Sequence, residues 1–290
     1  NYYIERGGVE LGKGSMAEVA FGVSAFNPKE RVVIKKYKER EFSGIKDPLK
    51  LKKFVEDKEL HLTHFKGEIF ALRKLNHPNI MKIREVFEYP NTKIIVADFM
   101  EGGDFYQYMK KNNHVINYRE ALEYIFGLLL ALNHMEKHRI VHRDIKQGNL
   151  VLKYIDGSQN IALIDFGFAI CLDDFPPGTP LPRKFGTVGC YAPEVLQGKT
   201  MFDTKADVYS AGVLLFSLIA GCQPYRSESP NSRMHRDELI RKNTIGDIDW
   251  SPLDDPHLIV QEIPASVRKL IEKMLTFDPN DRPLASRLLS

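Results

Sequence analysis

His142-Arg-Asp-Ile-Lys-Gln-Gly-Asn149 decides how this chain is read. It sets an aspartate, a lysine two residues on and an asparagine five residues on in a loop between a helical stretch and a strand. That collects, on one face, a carboxylate to orient a hydroxyl, a cation for a transferring phosphate and a carbonyl-type metal ligand. Sixteen residues after Asn149 comes Asp165-Phe-Gly167, a carboxylate at a strand end suited to Mg²⁺, with a glycine that allows a sharp turn. Gly186-Thr187 and Ala192-Pro-Glu194 follow, and Arg282, in Asp278-Pro-Asn-Asp-Arg-Pro283, is a candidate buried partner for Glu194. Taken singly each has a plain explanation; Asp165 alone reads as a strand-end turn residue. Together, in this order and spacing, they do not.

Upstream lie weaker signals. Leu11-Gly-Lys-Gly-Ser-Met-Ala-Glu-Val19 is a glycine-rich turn between strands, where backbone N–H groups can approach phosphate oxygens. Alone it serves equally well as a hairpin. Val32-Val-Ile-Lys35 puts one lysine on an otherwise apolar strand, where a phosphate or carboxylate would offset its desolvation; a snorkelling edge lysine is the plainer reading. Lys36 must point to the opposite face. Glu68, on an apolar-faced helical stretch, is a carboxylate available to Lys35.

The chain around these segments has 290 residues, 43% hydrophobic and 27% charged, enough for one large or two small cores and too apolar for disorder. Its net charge of +3 does not suggest nucleic acid as a partner. The longest apolar run, Phe126 to Leu132, falls short of the roughly 20 residues of a membrane span, and the N-terminal stretch does not read as a signal peptide. Three widely spaced cysteines, Cys171, Cys190 and Cys222, suggest reduced thiols and a cytoplasmic or nuclear location.

Up to about residue 100 the pattern predicts strands at Val19–Val23, Arg31–Tyr37, Met81–Tyr89 and Lys93–Phe99, the last three in one antiparallel sheet, with a helix over 59–75 ended by His77-Pro78. Beyond residue 104 it is mostly helical: Glu120–His138, Lys205–Ala220 and Val267–Thr276, with strands at Leu150–Tyr154 and Ile161–Ile164. The expectation is an α+β chain of two lobes, a β-rich one over 1–99 and a helical one over 100–290, hinged near Asp98–Gly103. Small ligands usually bind between such domains.

With these residues in view, the sequence resembles a eukaryotic protein kinase catalytic domain over residues 4–290. The resemblance implies the two-lobed protein kinase fold: a small N-lobe with an antiparallel sheet and one helix, and a larger, mainly helical C-lobe. It implies ATP and Mg²⁺ as cofactors, a protein or peptide substrate, and transfer of the γ-phosphoryl group to serine or threonine hydroxyls. At matching positions Gly12, Gly14 and Ala17 would cover the ATP phosphates. Lys35 would bind the α- and β-phosphates and pair with Glu68. Asp144 would position the substrate hydroxyl, Lys146 would steady the γ-phosphate, and Asn149 and Asp165 would hold Mg²⁺. Leu11, Val19, Val33 and Val151 would sandwich the adenine, with Asp98 and Met100 at its edge and Ala97 in the position behind it. Asp207 would anchor the catalytic loop. Lys146 with Gly186-Thr187 resembles the serine/threonine type, and Asp165-Phe-Gly-Phe-Ala169 with Asp207-Val-Tyr-Ser-Ala-Gly212 resembles the calcium/calmodulin-dependent group. The Lys-Gln-Gly-Asn of the catalytic loop departs from that group's Lys-Pro-Glu-Asn. A pseudokinase, a nucleotide-binding scaffold without transfer activity, is the alternative, set against the presence of Lys35, Asp144, Asn149 and Asp165.

Four departures matter. Ala17 stands where the family's third loop glycine would. Arg183 occupies the usual phospho-acceptor position of the activation loop, leaving Thr179 as the remaining hydroxyl before Gly186. About Glu39–Glu59 is a Lys-rich insertion that reads as a solvated helix opening at Asp47-Pro48. Ala97 is smaller than the family's usual residue and implies an apolar recess. His61 and His64, three apart on a helix, read as solvent-facing rather than as metal ligands, and Cys190 shows no neighbour that would lower its pKa. A regulatory segment or partner outside these residues is expected.

Overall fold

In the computed structural model, residues 2–4, 10–13, 17–38, 47–176, 186–198, 203–227 and 232–290 are described. Gly14, Thr179 and Arg183, and most of the insertion before Asp47, lie outside them. The chain divides into two compact units: residues 1–76, 81–100 and 165–167, and residues 77–80, 101–164 and 168–290.

The first unit is a sheet with one helix. Its strands are β1 (Tyr2–Ile4), β2 (Glu10–Lys13), β3 (Glu18–Ser24), β4 (Arg31–Lys38), β5 (Ile83–Tyr89) and β6 (Thr92–Asp98), antiparallel in the order β1-β3-β4-β6-β5, with β2 also on β3. Period-two alternation gives the sheet two apolar faces. Val32 and Ile34 pack with Val96 on one. Tyr37 and Ile95 pack with Phe65 and Ile69 of the helix, α1 (Pro48–Lys74), on the other. That second face is why Lys35, two residues from Tyr37, looks toward the helix.

Helix α1 is longer than its apolar periodicity suggests. The insertion's helix and the 59–75 helix form one 27-residue element. Asp47 starts it, its side chain accepting from Leu49 N at 2.9 Å and its carbonyl from Leu51 N at 2.9 Å, with Pro48 in the first turn, where no N–H is needed. The first half stays in solvent, with Leu49 80% exposed, while Phe65, Ile69 and Leu72 in the second half are buried. Packing of the second half therefore supports a first half that lacks an apolar face of its own.

The second unit is mainly helical. A short β7 (Gly103–Asp104) leads into α2 (Phe105–Lys111) and α3 (Tyr118–Lys137), each started by a side-chain cap: Asp104 accepts from Gln107 N at 2.7 Å, and Asn117 from Glu120 N at 3.0 Å. Then come β8 (Ile140–Val141), the hairpin β9 (Leu150–Ile155) and β10 (Ser158–Leu163), and β11 (Ile170–Cys171), which pairs with β8. Helices α4 (Pro193–Leu196), α5 (Lys205–Ala220), α6 (Ser232–Ile245), α7 (Ala265–Met274) and α8 (Ala285–Leu288) complete it. Helix α5 is buried nearly all round, and α3 and α7 pack against it. Each of its fully buried large side chains, such as Leu215 and Phe216, adds about 1.5–3 kcal/mol of apolar burial. Gly221 ends α5 in the left-handed region, φ +69°, where glycine has no Cβ penalty.

A second-unit pair fixes the end of the chain to its middle. Arg282 Nη1 and Nη2 donate to the Glu194 carboxylate at 2.7 and 3.0 Å, with both side chains fully buried. The guanidinium also lies over the Tyr209 ring and donates to the carbonyls of Lys205, Thr276 and Phe277. The sequence expectation for this pair holds.

Candidate active site

Each unit carries its own cluster of charged groups. In the first, Lys35 on β4 reaches Glu68 on α1, with Nζ 3.0 Å from Oε1 and 2.8 Å from Oε2. Lys35 Nζ also lies 2.9 Å from Asp165 Oδ1. Tyr37 donates its hydroxyl to the same Glu68 carboxylate. Burial works against the Lys35 charge, but Glu68, then Tyr37 and Asp165, more than offset it and hold the ammonium pKa well above its ordinary value. Burial pushes the Tyr37 phenol well up, against the pull of Lys35, so Tyr37 remains a donor.

Asp165 adopts a left-handed backbone, φ +61°, a conformation uncommon for a residue with a side chain. Two residues on, Gly167 lies against the buried His64 ring; a Cβ there would fall 2.5 Å from His64 Nδ1. The solvent-facing reading of His64 is therefore corrected. It lies one helical turn before Glu68, on the same buried face of α1.

The second cluster lies in the 142–149 loop. Asp144 is buried, and both of its oxygens are engaged. Oδ1 accepts from Thr187 Oγ1 at 2.8 Å; Oδ2 accepts from Asn149 Nδ2 at 2.8 Å and pairs with Lys146 Nζ at 2.7 Å. Lys146 Nζ also donates to Thr187 Oγ1 at 2.9 Å, which closes a ring of three side chains. Asn149 Nδ2 donates to the Asp144 carbonyl as well, at 2.8 Å. With its amide nitrogen committed, the carbonyl oxygen is what Asn149 can offer a metal.

Asp207, at the start of α5, holds this loop from within the core. Its carboxylate accepts from His142 N at 2.6 Å and Arg143 N at 2.9 Å. The anchor is needed because Arg143 sits at φ +71°, a strained conformation worth about 1–3 kcal/mol. Burial raises the Asp207 pKa, with His142 and the two backbone donors opposing it. His142 donates Nε2–H to the Ile164 carbonyl at 3.1 Å, and its Nδ1 accepts from Asp144 N at 3.2 Å, so the bonding fixes the tautomer. Arg143 Nε donates to the Phe168 carbonyl at 2.6 Å; burial lowers its pKa to about 10, against the pull of Asp207. Gly186 is at φ +127°, and a Cβ there would lie 2.7 Å from the Arg143 carbonyl oxygen, so only glycine fits.

The remaining expected positions fall as follows. Leu11 and Gly12 are on β2, Gly12 opposite Val19, and Ala17 is buried just before β3. Val19 lies opposite Lys35, and Val33 lies between Phe21 and Ala97 in register. Ala97, 2% exposed, and Asp98 end β6, and Met100 closes that stretch of the first unit. Val151 is on β9, opposite Ala162 and Asp104. Tyr37 and the Thr187 bond to Asp144 were not anticipated. The signal for Tyr37 was its two-residue spacing from Lys35 on a strand. Nothing local foretold the Thr187 contact, 43 residues from its partner.

The donor chemistry fits Mg²⁺. Among the described residues no group of three or more His, Cys, Asp or Glu could hold a metal by itself. Mg²⁺ prefers one or two carboxylate or carbonyl oxygens and takes the rest from phosphate and water. The Asp165 carboxylate, with its side chain 42% exposed, and the Asn149 carbonyl are of that kind.

The family model described as protein kinase domain matches residues 6–290. The serine/threonine-protein kinase SIK1 of Rattus norvegicus is 33% identical over 215 residues, covering 74% of this chain and 25% of the relative. The probable serine/threonine-protein kinase PknB of Lactococcus lactis is 31% identical, over 76% of this chain and 32% of its own length. Calcium-dependent protein kinase 5 of Plasmodium falciparum is 29% identical, over 83% of this chain and 37% of its own length. The matched region thus spans well under half the length of these relatives.

Proposed function

Because this chain belongs to the protein kinase domain family, with serine/threonine kinases as its relatives, we propose that it transfers the γ-phosphoryl group of ATP to serine or threonine hydroxyls of a protein substrate, with Mg²⁺. The carrying observation is the ring of Asp144, Lys146 and Thr187 with Asn149 bonded to Asp144. It supplies a fixed carboxylate acceptor beside a fixed cation, which is what phosphoryl transfer needs, since positioning and charge stabilisation account for most of its rate.

In this reading the substrate hydroxyl donates to Asp144, which orients its lone pair and takes the proton as the new P–O bond forms and the bond from the γ-phosphorus to the β,γ-bridging oxygen breaks, with ADP as the leaving group. Lys146 offsets charge on the transferring phosphoryl oxygens, and the Thr187 bonds hold both groups in place before substrate arrives. Lys35, oriented by Glu68 and Tyr37, binds the α- and β-phosphates. Asp165 and Asn149 would hold Mg²⁺, which would supply charge neutralisation on the phosphates. Leu11, Val19, Val33 and Val151 take the adenine, Asp98 and Met100 its polar edge, and Gly12, Gly14 and Ala17 the phosphates.

The pseudokinase alternative gains nothing from these residues: such proteins usually lack one of the four groups, whereas Lys35, Asp144, Asn149 and Asp165 are all present and each is bonded to another polar group. The three widely spaced cysteines, with no CxxC pair among them, support a reducing compartment, cytoplasmic or nuclear. No helix among the described residues is long and apolar enough to cross a membrane. Control by a segment or partner outside these residues is part of the proposal.

The test is incubation with γ-labelled ATP, Mg²⁺ and a degenerate peptide mixture, followed by phosphoamino-acid analysis. Label in phosphoserine and phosphothreonine is expected. Nucleotide binding without any transfer would favour the scaffold, and label confined to phosphotyrosine would overturn the serine/threonine assignment.

A further inference from the structure

A groove of about 460 Å³ opens in the second unit, and Lys146 and Thr187 are part of its wall. It therefore adjoins the residues that bind Asp144. Its volume lies in the range of about 300–1,000 Å³ found for binding pockets. Tyr106 supplies exposed apolar surface, the buried Ile145, Val213 and Leu214 are also among the lining residues, and Cys190 and Cys222 add two thiols.

Two polar groups of this wall are bonded within it. Ser217 donates its hydroxyl to the Val213 carbonyl one turn back in α5, at 2.8 Å, and Gln223 Nε2 donates to Cys190 Sγ at 3.7 Å. Burial, then the Asp144 charge, pushes the Cys190 thiol up to about 12, so it stays uncharged. No carboxylate is among the lining residues; the ionisable ones besides the two thiols are Tyr106, His114 and Lys146. Asp104, the acidic residue that starts the neighbouring α2, accepts from Gln107 N in its helix cap and is not among the lining residues.

A cation entering here would lose hydration, find no carboxylate in the wall and meet Lys146, whose own charge is already paired with Asp144. An apolar side chain would bury its surface at no such cost. Whatever places a hydroxyl at Asp144 must also run past Lys146 and Thr187, so the groove is within a few residues of the phosphorylated one. Resting on the kinase reading, we propose that this groove receives an uncharged apolar side chain of the protein substrate (leucine, methionine or phenylalanine) close in sequence to the phosphorylated serine or threonine. Arginine and lysine are rejected at that position.

The experiment is a positional-scanning peptide set around a fixed serine/threonine, assayed with the full chain, wild type and Gly148→Glu. Gly148 lines the groove, and a Cβ there meets only Lys146 Cε, at 3.9 Å, so a side chain can begin at this position without a clash. In the wild type, one position should prefer leucine, methionine or phenylalanine over arginine by about tenfold or more in kcat/KM, the scale of hydrophobic-pocket discrimination. In Gly148→Glu that ratio should shrink or invert at the same position; Cys222→Glu, on another part of the wall, should act in the same sense and serves if the first variant does not fold. Arginine preferred at every selective position, no selectivity anywhere, or an unchanged ratio in the variants would overturn the groove assignment while leaving the kinase reading intact. No transfer to any peptide would overturn the kinase reading, and this inference with it.

Discussion

Lys35 Nζ lies 2.8 Å from Glu68 Oε2, which ties strand β4 to helix α1 through an ion pair whose acidic member is fully buried. Removing one partner of such a pair strands the other's charge, at a cost of about 3–5 kcal/mol. Glu68→Gln should fall near the lower end, because Asp165 still contacts Lys35. The raised Lys35 pKa fixes the sign of the pH effect. Its stabilisation is fully present below the ordinary lysine value of 10.5 and is lost only as pH rises through the higher folded value. Denaturant midpoints of wild type and Glu68→Gln should therefore stay a constant distance apart from about pH 6 to about pH 9. A gap that closes within that range contradicts the pairing.

Asp207 gives the opposite slope. A carboxylate whose folded pKa is raised binds its proton more readily when folded, so stability falls as pH rises from about its ordinary 3.8 to the folded value, and is flat above. Asp207→Asn should remove that fall. Asp207→Ala leaves the His142 and Arg143 amides unpaired in the core, at about 1–3 kcal/mol each, and should reduce turnover through loss of the Arg143 geometry. Thermal melts against pH, with kcat for each variant, check both.

The Arg282–Glu194 pair should be a stability element of the second unit. Glu194→Ala leaves a fully buried guanidinium without its carboxylate, a loss of about 3–5 kcal/mol. In a chain of this size that corresponds to a fall in Tm of roughly 10 °C, read by calorimetry. Near-wild-type stability would show that the carbonyls of Lys205, Thr276 and Phe277 suffice for Arg282.

At the end of β6, the Asp98 side chain is held by Arg84 of β5, which in turn pairs with Glu30. These groups are partly exposed, so Arg84→Ala should change stability by less than about 1 kcal/mol. If Asp98 presents its backbone to the adenine, loosening it should raise the KM for ATP severalfold and leave kcat nearly unchanged. Steady-state kinetics at varied ATP distinguish this from a purely structural role, which would not move KM.

Motif chemistry made the charged residues legible, because Lys35, Asp144, Asn149 and Asp165 stand at spacings that few other folds would require. The strands from Arg31 to Tyr37 and from Lys93 to Phe99 were legible for the same reason that they form: two-residue alternation with turn residues at their ends. Helix α6 was not, because Ser232–Ile245 lacks an apolar stripe and folds through tertiary support. His64 was misread because two histidines on a helix suggest solvent until the phase of Glu68 and Phe65 is applied to them. The Thr187–Asp144 bond escaped because a contact between two loops has no period to betray it.

Asp144→Asn is the sharpest test of the whole account. The amide keeps the shape of the carboxylate and removes its charge and its proton affinity, so nucleotide should still raise Tm while kcat falls by about 10²–10⁴. Turnover of γ-phosphoryl transfer at the wild-type level in Asp144→Asn would contradict the assignment of the 142–149 loop as the seat of phosphoryl transfer.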